Sequence, residues 1–397
     1  MVADAYPPMR TSCAVQMYDL GQALLLLGHK VTMINPISGL SKTVQTQNHA
    51  GVHLVQVRAF ETKDVPYIQR VLAEFINPWV IWHHLKNNKE FNEIQYNGVV
   101  WYSPTIFWGP LINRLKQHFK IPSYLILRDI FPDWAIDLKI LKKGPTYLFL
   151  KAVECYQYLQ ANSIGLQSPN NLKYFIQKHP HLKEKCQVLW NWGGKNVHVE
   201  SCAIDISKTS LAGKVLCVYA GNMGKAQGMD SLLDLAGAVK HLVDIGFVLV
   251  GRGSEVTHLE GRINKEGLSN VLLFDEIESN NIPGLYAQCH VGIVTLDLRH
   301  KTHNIPGKWI GYLQVGLPTF ALINPGNDMV KLISEHQIGF ASSSQKLQEW
   351  VDGLIDLKQQ IQNDDGLKIR SLEVSRNLFT SEIAANKIVV QFYSKDQ

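Results

Sequence analysis

Between Lys214 and Ile323 the chain repeats one pattern: a short apolar run, a turn, then a stretch with helical periodicity. The runs are Lys214–Ala220, Gly246–Val250, Val271–Phe274, Val291–Leu296 and Thr319–Ile323. Strands that alternate with helices return by crossovers and predict a parallel sheet with helices on both faces. The first half alternates in the same way, with strands expected at Lys30–Asn35, Gly51–Arg58, Gly98–Tyr102, Ser123–Leu127, Ser163–Gln167 and Cys186–Trp190. Helices are expected at Ser12–His29, Tyr67–Phe91 with an interruption at Pro78, Pro104–Phe119, Tyr147–Asn162 and Asn170–Lys178. The start is abrupt: Val2–Asp4 is shorter than the roughly five or six residues of a usual strand, yet a helix follows it.

The expected organisation is therefore α/β throughout. Two Rossmann-like domains with parallel sheets face each other across a cleft. The N-terminal one covers 1–194, a weakly periodic linker 195–213, and the C-terminal one 214–380. A last helix in 381–397 packs back on the N-terminal domain.

Composition narrows the class. An apolar content of 46% and a charged content of 18% describe a globular chain. No run approaches the roughly 18 apolar residues of a membrane span, and no export signal is visible at MVADAYPPMRTS. The six cysteines contain no CxxC pair, which fits a reduced cytoplasmic protein without a zinc site. Residues 1–190 carry a net +8 and the remainder −3, so the first half favours an anionic partner or an anionic membrane surface. Phe75, Trp79 and Trp82 lie beside His83, His84, Lys86 and Lys89. Those aromatics suit a helix packed on the core, the weightier reading, or one dipping into lipid.

Three loops carry the chemistry. Gly221-Asn222-Met223-Gly224-Lys225 follows a strand and precedes a helix, and Gly251-Arg252-Gly253 does the same one unit later. Neither is a GxGxxG or a Walker loop. The third is His303-Asn304-Ile305-Pro306-Gly307-Lys308, where Gly307 opens a helix whose first N–H groups face the loop. Glycine lets a ligand reach the backbone, and Lys308 and Lys225 add positive charge, as a diphosphate requires. In the first half, Arg128-Asp129 and Asp133 follow the strand Ser123–Leu127, at the strand end where open α/β sheets bind ligands.

AGNMGKAQG, LLFDEI, SNNIPGLYAQCHVGIVTL and NIPGKWIGYLQVGLPTFALI resemble the C-terminal domain of family 4 glycosyltransferases; LRDIFPDWAID and VLWNWG resemble the N-terminal half. Within the family, the chain is similar to bacterial O-antigen N-acetyl-L-fucosaminyl transferases. The resemblance implies the GT-B fold and a retaining, metal-independent transfer from a nucleotide sugar, with UDP the expected nucleotide. The acceptor expected is a lipid-diphosphate-linked saccharide, the location cytoplasmic and peripheral on the inner membrane, with no bound cofactor and no nucleic-acid partner. Donor contacts are expected from Gly221, Asn222, Lys225, Gly251, Arg252, Glu276, Ile277, Asn304 and Gly307; catalytic roles from Arg128, Asp129, His303 and Lys308; acceptor contacts from Arg10, Thr11 and Asp133. The chain departs from the family where His303 and Gly311 replace a pair of glutamates, Arg128 replaces a histidine, and Arg10-Thr11-Ser12 replaces a glycine pair. Gly311 keeps open a non-catalytic sugar-nucleotide-binding subunit; an epimerase of the same fold is the other alternative.

Overall fold

The structure is a computed structural model that describes all residues except Arg10, Asp64, Pro104, 195–201, His300 and 394–397. The chain divides into two compact units, Met1–Trp190 with Ser381–Gln397, and Asn191–Thr380.

In the first unit the order is α1 (Ser12–Leu26), β1 (Thr32–Ile37), β2 (Val44–His49), β3 (Val52–Arg58), α2 (Tyr67–Lys86), α3 (Lys89–Glu93) and β4 (Val99–Ser103). Then come α4 (Gly109–Phe119), β5 (Ser123–Leu127), α5 (Asp133–Asp137), α6 (Pro145–Gln160), β6 (Ser163–Leu166), α7 (Pro169–Lys178) and β7 (Cys186–Val188). Strands β4-β5-β6-β7 form one parallel run; β1-β3-β2 form a second, mixed one, with β1 parallel and β2 antiparallel to β3. The short start joins them. Val2 bridges Ile34 on β1 and Trp101 on β4, and its N–H donates to the Val100 carbonyl at 2.8 Å. The core beneath holds Trp101, Leu125, Ile164, Tyr158 and Phe175, all fully enclosed.

Two expectations are corrected here. β2 is a strand that apolar periodicity does not reveal, because VQTQNH is a polar edge strand. It pairs antiparallel with β3 through Ala50-Gly51, both at positive φ, which suits a two-residue hairpin turn. And α2 runs unbroken through Pro78. An interior proline costs a helix about 3 kcal/mol; here the preceding Asn77 is clamped at both ends of its amide to the Phe60 backbone, at 2.8 and 3.0 Å, which offsets part of that cost.

The second unit runs β8 (Val215–Ala220), α8 (Met229–Ala238), β9 (Ile245–Val250), α9 (Val256–Glu266), β10 (Val271–Phe274), α10 (Ile282–Tyr286) and β11 (Val291–Thr295). It continues with α11 (Gly307–Gln314), β12 (Thr319–Leu322), α12 (Asp328–Glu335), β13 (Gly339–Ser342), α13 (Leu347–Asn363) and α14 (Gly366–Leu378). The sheet order is β10-β9-β8-β11-β12-β13, all parallel. That is the doubly wound arrangement in which the order reverses between β8 and β11, and the crevice beyond those strand ends is where such sheets bind ligands. β13, GFAS, is an edge strand only partly buried and without a β-branched residue, so it gives no apolar run to read. The last helix, α15 (Ser381–Tyr393), packs on α1 in the first unit. Part of the expected linker, 195–201, lies outside the described residues.

Candidate functional site

At the reversal point of the second unit, the loops after β8, β9 and β10 are laced together by their backbones. Gly221 N–H donates to the Val250 carbonyl at 2.9 Å, Gly251 to Phe274 at 3.1 Å, and Met223 to Arg252 at 2.8 Å. Glycine is required for this. A Cβ on Gly251 would lie 1.9 Å from the Gly221 carbonyl oxygen, and one on Gly253 would lie 2.4 Å from that of Met223. Both residues sit at φ +152°, where side chains are strained.

Across the reversal, α11 begins at Gly307 after Pro306, with no side-chain cap on its first N–H groups. Lys308 turns its chain back toward the β8 loop. Its Nζ donates to the Tyr219 hydroxyl at 2.7 Å and to Gln227 Oε1 at 3.1 Å, and stands 4.0 Å from the centre of the Tyr219 ring. The Tyr219 hydroxyl in turn donates to the Asn222 carbonyl at 2.6 Å. A Cβ on Gly221 would stand 3.3 Å from Lys308 Cε, so the lysine lies against the glycine loop. The side chain is half-buried with its ammonium against the Tyr219 ring, and among the described residues no carboxylate pairs with it. Burial therefore pushes its pKa down to about 7. This is a cationic group whose present partners are neutral oxygens and a ring face. A phosphate oxygen brought to it would supply the missing charge.

The other expected residues fall into separate groups. Lys225 is exposed and lines a cavity of about 240 Å³ with Gly224, Asp230, His258 and Arg299, whose guanidinium pairs with Asp297. Lys225 and the start of α11 thus lie at the same edge of the sheet, since Gln227, two residues on, touches Lys308. Arg252 and Glu276 pair with each other at 3.2 Å across the ends of β9 and β10; Ile277 beside them is half-buried. His303 sits at φ +54°, its Nδ1 3.4 Å from the Asn324 amide nitrogen, and burial lowers its pKa. The Asn304 carbonyl accepts from Asn327 at 3.0 Å.

In the first unit, Arg128 is buried at the end of β5 and donates to the Leu189 and Trp190 carbonyls at 3.1 and 3.5 Å. Burial lowers its pKa. Asp129 next to it is half-buried. Asp133 is turned inward: Lys178 donates to Oδ2 at 2.7 Å, while Tyr147 at 3.2 Å and Lys151 at 3.5 Å meet Oδ1. Thr11 caps α1, accepting from the Ala14 N–H at 3.2 Å. Arg10 lies outside the described residues.

No protein-family model matches the chain. It is 21% identical over 221 residues to the probable glycosyltransferase WbjE of Pseudomonas aeruginosa, covering 54% of each chain. It is 22% identical over 223 residues to WcaI of Escherichia coli strain K12, a candidate colanic acid biosynthesis glycosyl transferase, again with 54% of each covered. The chain thus matches about half the length of these curated relatives. Among solved structures, WaaG, a glycosyltransferase involved in lipopolysaccharide biosynthesis, superposes with a TM-score of 0.66 at 15% identity, covering 98% of both chains. Anabaena Alr3699/HepE in complex with UDP and glucose does so with 0.68 at 13% identity, covering 99% of this chain and 98% of that one. The fold is GT-B.

Within this GT-B chain the expected fold class stands, and two members of the Lys308 cradle were not anticipated. Tyr219 reads in sequence as one more apolar strand residue, and Gln227 as a turn residue. The signal available was weak: a tyrosine one residue before AGN, and a polar residue just ahead of the next helix. Gly311, on α11, faces Tyr286: a Cβ there would stand 3.4 Å from the tyrosine ring edge.

Proposed function

We propose that this chain is a retaining glycosyltransferase that moves a sugar from a UDP-linked donor to a lipid-linked saccharide during surface-polysaccharide assembly. The resemblance to N-acetyl-L-fucosaminyl transferases makes that sugar the first donor to try. The observation that carries the reading is Lys308, an enclosed cation with neutral partners at the reversal point of the sheet, beside an uncapped helix start. Cleaving a glycosyl–diphosphate bond puts negative charge on the leaving phosphate. Preset N–H dipoles and a cation stabilise that charge without reorganising. In this proposal Lys308 and the Gly307 end of α11 take the diphosphate, Gly221 and Asn222 allow its close approach, and Gly251 holds the neighbouring loop against Gly221. Lys225 and Arg252 approach from the neighbouring loops, with Glu276 and Ile277 on the nucleoside side. His303 and Asn304 meet the sugar. Arg128 and Asp129 belong to the acceptor side with Thr11; Asp133 is left out, because both its oxygens are engaged inside the first unit.

The test is a panel of UDP-, GDP- and dTDP-sugars read by thermal shift, then by transfer to isolated membranes. A ligand at 100 times its dissociation constant stabilises by about 2.7 kcal/mol, a clear shift. UDP-sugars are expected to shift melting, and label to enter the lipid fraction. A donor that is interconverted with no acceptor present would establish an epimerase instead, and UDP binding without consumption of any donor would establish a binding subunit.

A further inference from the structure

The first unit carries a surface that glycosyl transfer itself does not use. Helix α2 is apolar on two sides. Ala73, Asn77, Ile81 and Leu85 turn inward at helical spacing and pack on the sheet. Ile68, Leu72, Phe75, Ile76 and Trp79 repeat at the same spacing on the outer side, with Ile68 74% and Leu72 56% exposed. Helix α6 repeats the arrangement. Leu148, Phe149, Ala152, Tyr156 and Leu159 form its outer stripe, with Leu148 67% exposed and no charged residue among them. The stripes meet where the Phe75 and Phe149 rings stand 6.1 Å apart. A helix with a second, outward apolar stripe has a second apolar environment to enter, and a contiguous exposed patch of this kind marks an interaction site.

Charge says what that environment is. The turn leading into α6 exposes Lys139, Lys142 and Lys143 around Ile140, immediately before the stripe. Arg114 holds its guanidinium 5.7 Å over the Trp79 ring, so the exposed indole has a cation above it. Apolar stripes, an exposed indole and flanking lysines are what an interfacial helix offers to an anionic bilayer. A second copy of the chain fits less well, since it would set a unit whose first 190 residues carry +8 against itself.

We propose that the outer faces of α2 and α6 dock on an anionic lipid surface, with the apolar stripes entering the headgroup boundary and Lys139, Lys142 and Lys143 meeting the lipid phosphates. This deepens the lipid-linked acceptor reading, on which its purpose rests: docking would place the enzyme where such an acceptor is anchored. The lipid binding itself is measured with no sugar nucleotide present.

The experiment is co-sedimentation of the purified full chain with vesicles of phosphatidylethanolamine and phosphatidylglycerol at 3:1, against pure phosphatidylcholine. Binding is expected on the anionic vesicles and at least tenfold weaker on the neutral ones. Leu72→Glu with Leu148→Glu places charge at two already exposed positions and is expected to cut vesicle binding at least tenfold. The triple change Lys139→Ala, Lys142→Ala, Lys143→Ala is expected to reduce the anionic preference and its salt dependence. UDP-induced thermal shifts in all variants, unchanged from the parent, would show intact folding and leave the transfer reading untouched. The proposal is overturned if the parent chain stays in the supernatant with anionic vesicles, or if the Leu72/Leu148 variant binds like the parent. It is also overturned if the parent is a dimer that this variant splits while vesicle binding is unaffected.

Discussion

Two clusters, one on α5, α6 and α7 of the first unit and one on α11 of the second, treat buried charge in opposite ways. In the first unit, Asp133 and Glu154 are nearly or wholly enclosed, and each has its cation. Lys178 and Lys151 hold Asp133, and Lys151 also pairs with Glu154, which accepts from the Tyr158 hydroxyl at 2.8 Å. Burial pulls the Lys178 pKa down, but its hydrogen bonds to Asp133 and Tyr174 more than reverse this and leave it above the ordinary lysine range. Burial pushes the Glu154 carboxyl up to about 7, against the pull of Lys151. In the second unit, Lys308 has a hydroxyl, an amide oxygen and a ring face, and its pKa falls. A cluster whose charges are matched internally belongs to the framework. A buried cation matched only by neutral oxygens is poised for an anion that arrives from outside.

The sharpest way to break this contrast is to remove one lysine from each side. Lys178→Met leaves Asp133 short of its nearest cation; breaking such a pair costs about 3–5 kcal/mol when fully buried. Because the Lys178 side chain is 40% exposed, we expect a loss at or below about 3 kcal/mol by urea denaturation. Lys308→Met should behave otherwise. Folding stability at pH 7 should hold or rise, while transfer falls by about 10² to 10³-fold, the usual loss for one group that stabilises developing charge. Equal destabilisation by the two changes, or undiminished transfer in Lys308→Met, would erase the distinction.

A smaller effect sharpens it through pH. The folded pKa of Lys308, about 7, lies below its ordinary value of 10.5. Between those two values the unfolded chain holds a proton that the folded chain has released. Stability contributed by this group therefore rises with pH across that window, by at most about 1.4 kcal/mol per pH unit. The difference in unfolding free energy, parent minus Lys308→Met, should grow between pH 7 and pH 9. Binding of UDP should recharge the amine. At pH 8 calorimetry in buffers of different ionisation enthalpy should then show proton uptake, and affinity should weaken above pH 7. A flat difference, or binding without proton uptake, would mean Lys308 stays charged and is screened in some other way.

How much of this was legible in the sequence depended on the kind of force involved. The parallel sheets were, because short apolar runs such as Val291–Thr295 carry β-branched residues and alternate with helical stretches. The edge strands β2 and β13 were not, because one is polar and the other, GFAS, has no β-branched apolar run. Gly221, Gly251 and Lys308 stood out as residue types a phosphate site needs. Their mutual arrangement did not: that the Gly251 position is closed by the Gly221 carbonyl is a fact of two chain segments 30 residues apart. Asp133 shows the converse. At the end of a strand, beside aromatic residues, it had the sequence look of an acceptor contact. Its partners Lys151 and Lys178 lie on later helices and are brought to it only by folding.

The smallest effect separates slack from necessity among the glycines of the second unit. At Gly251 an added Cβ would meet the Gly221 carbonyl at 1.9 Å, so alanine there must displace backbone. At Gly311 it would meet only the edge of the Tyr286 ring at 3.4 Å, an ordinary contact, with the backbone already helical. Alanine in a helix interior is favoured over glycine by about 0.5–1 kcal/mol, because glycine loses more backbone freedom on folding. Gly311→Ala should therefore stabilise the chain by about that amount, read as a small rise in urea midpoint, with UDP affinity preserved. If Gly311→Ala instead weakens UDP binding while stabilising the fold, the open space beside Tyr286 is occupied by the nucleotide. The glycine would then be part of how this chain holds its donor rather than the mark of a lost contact.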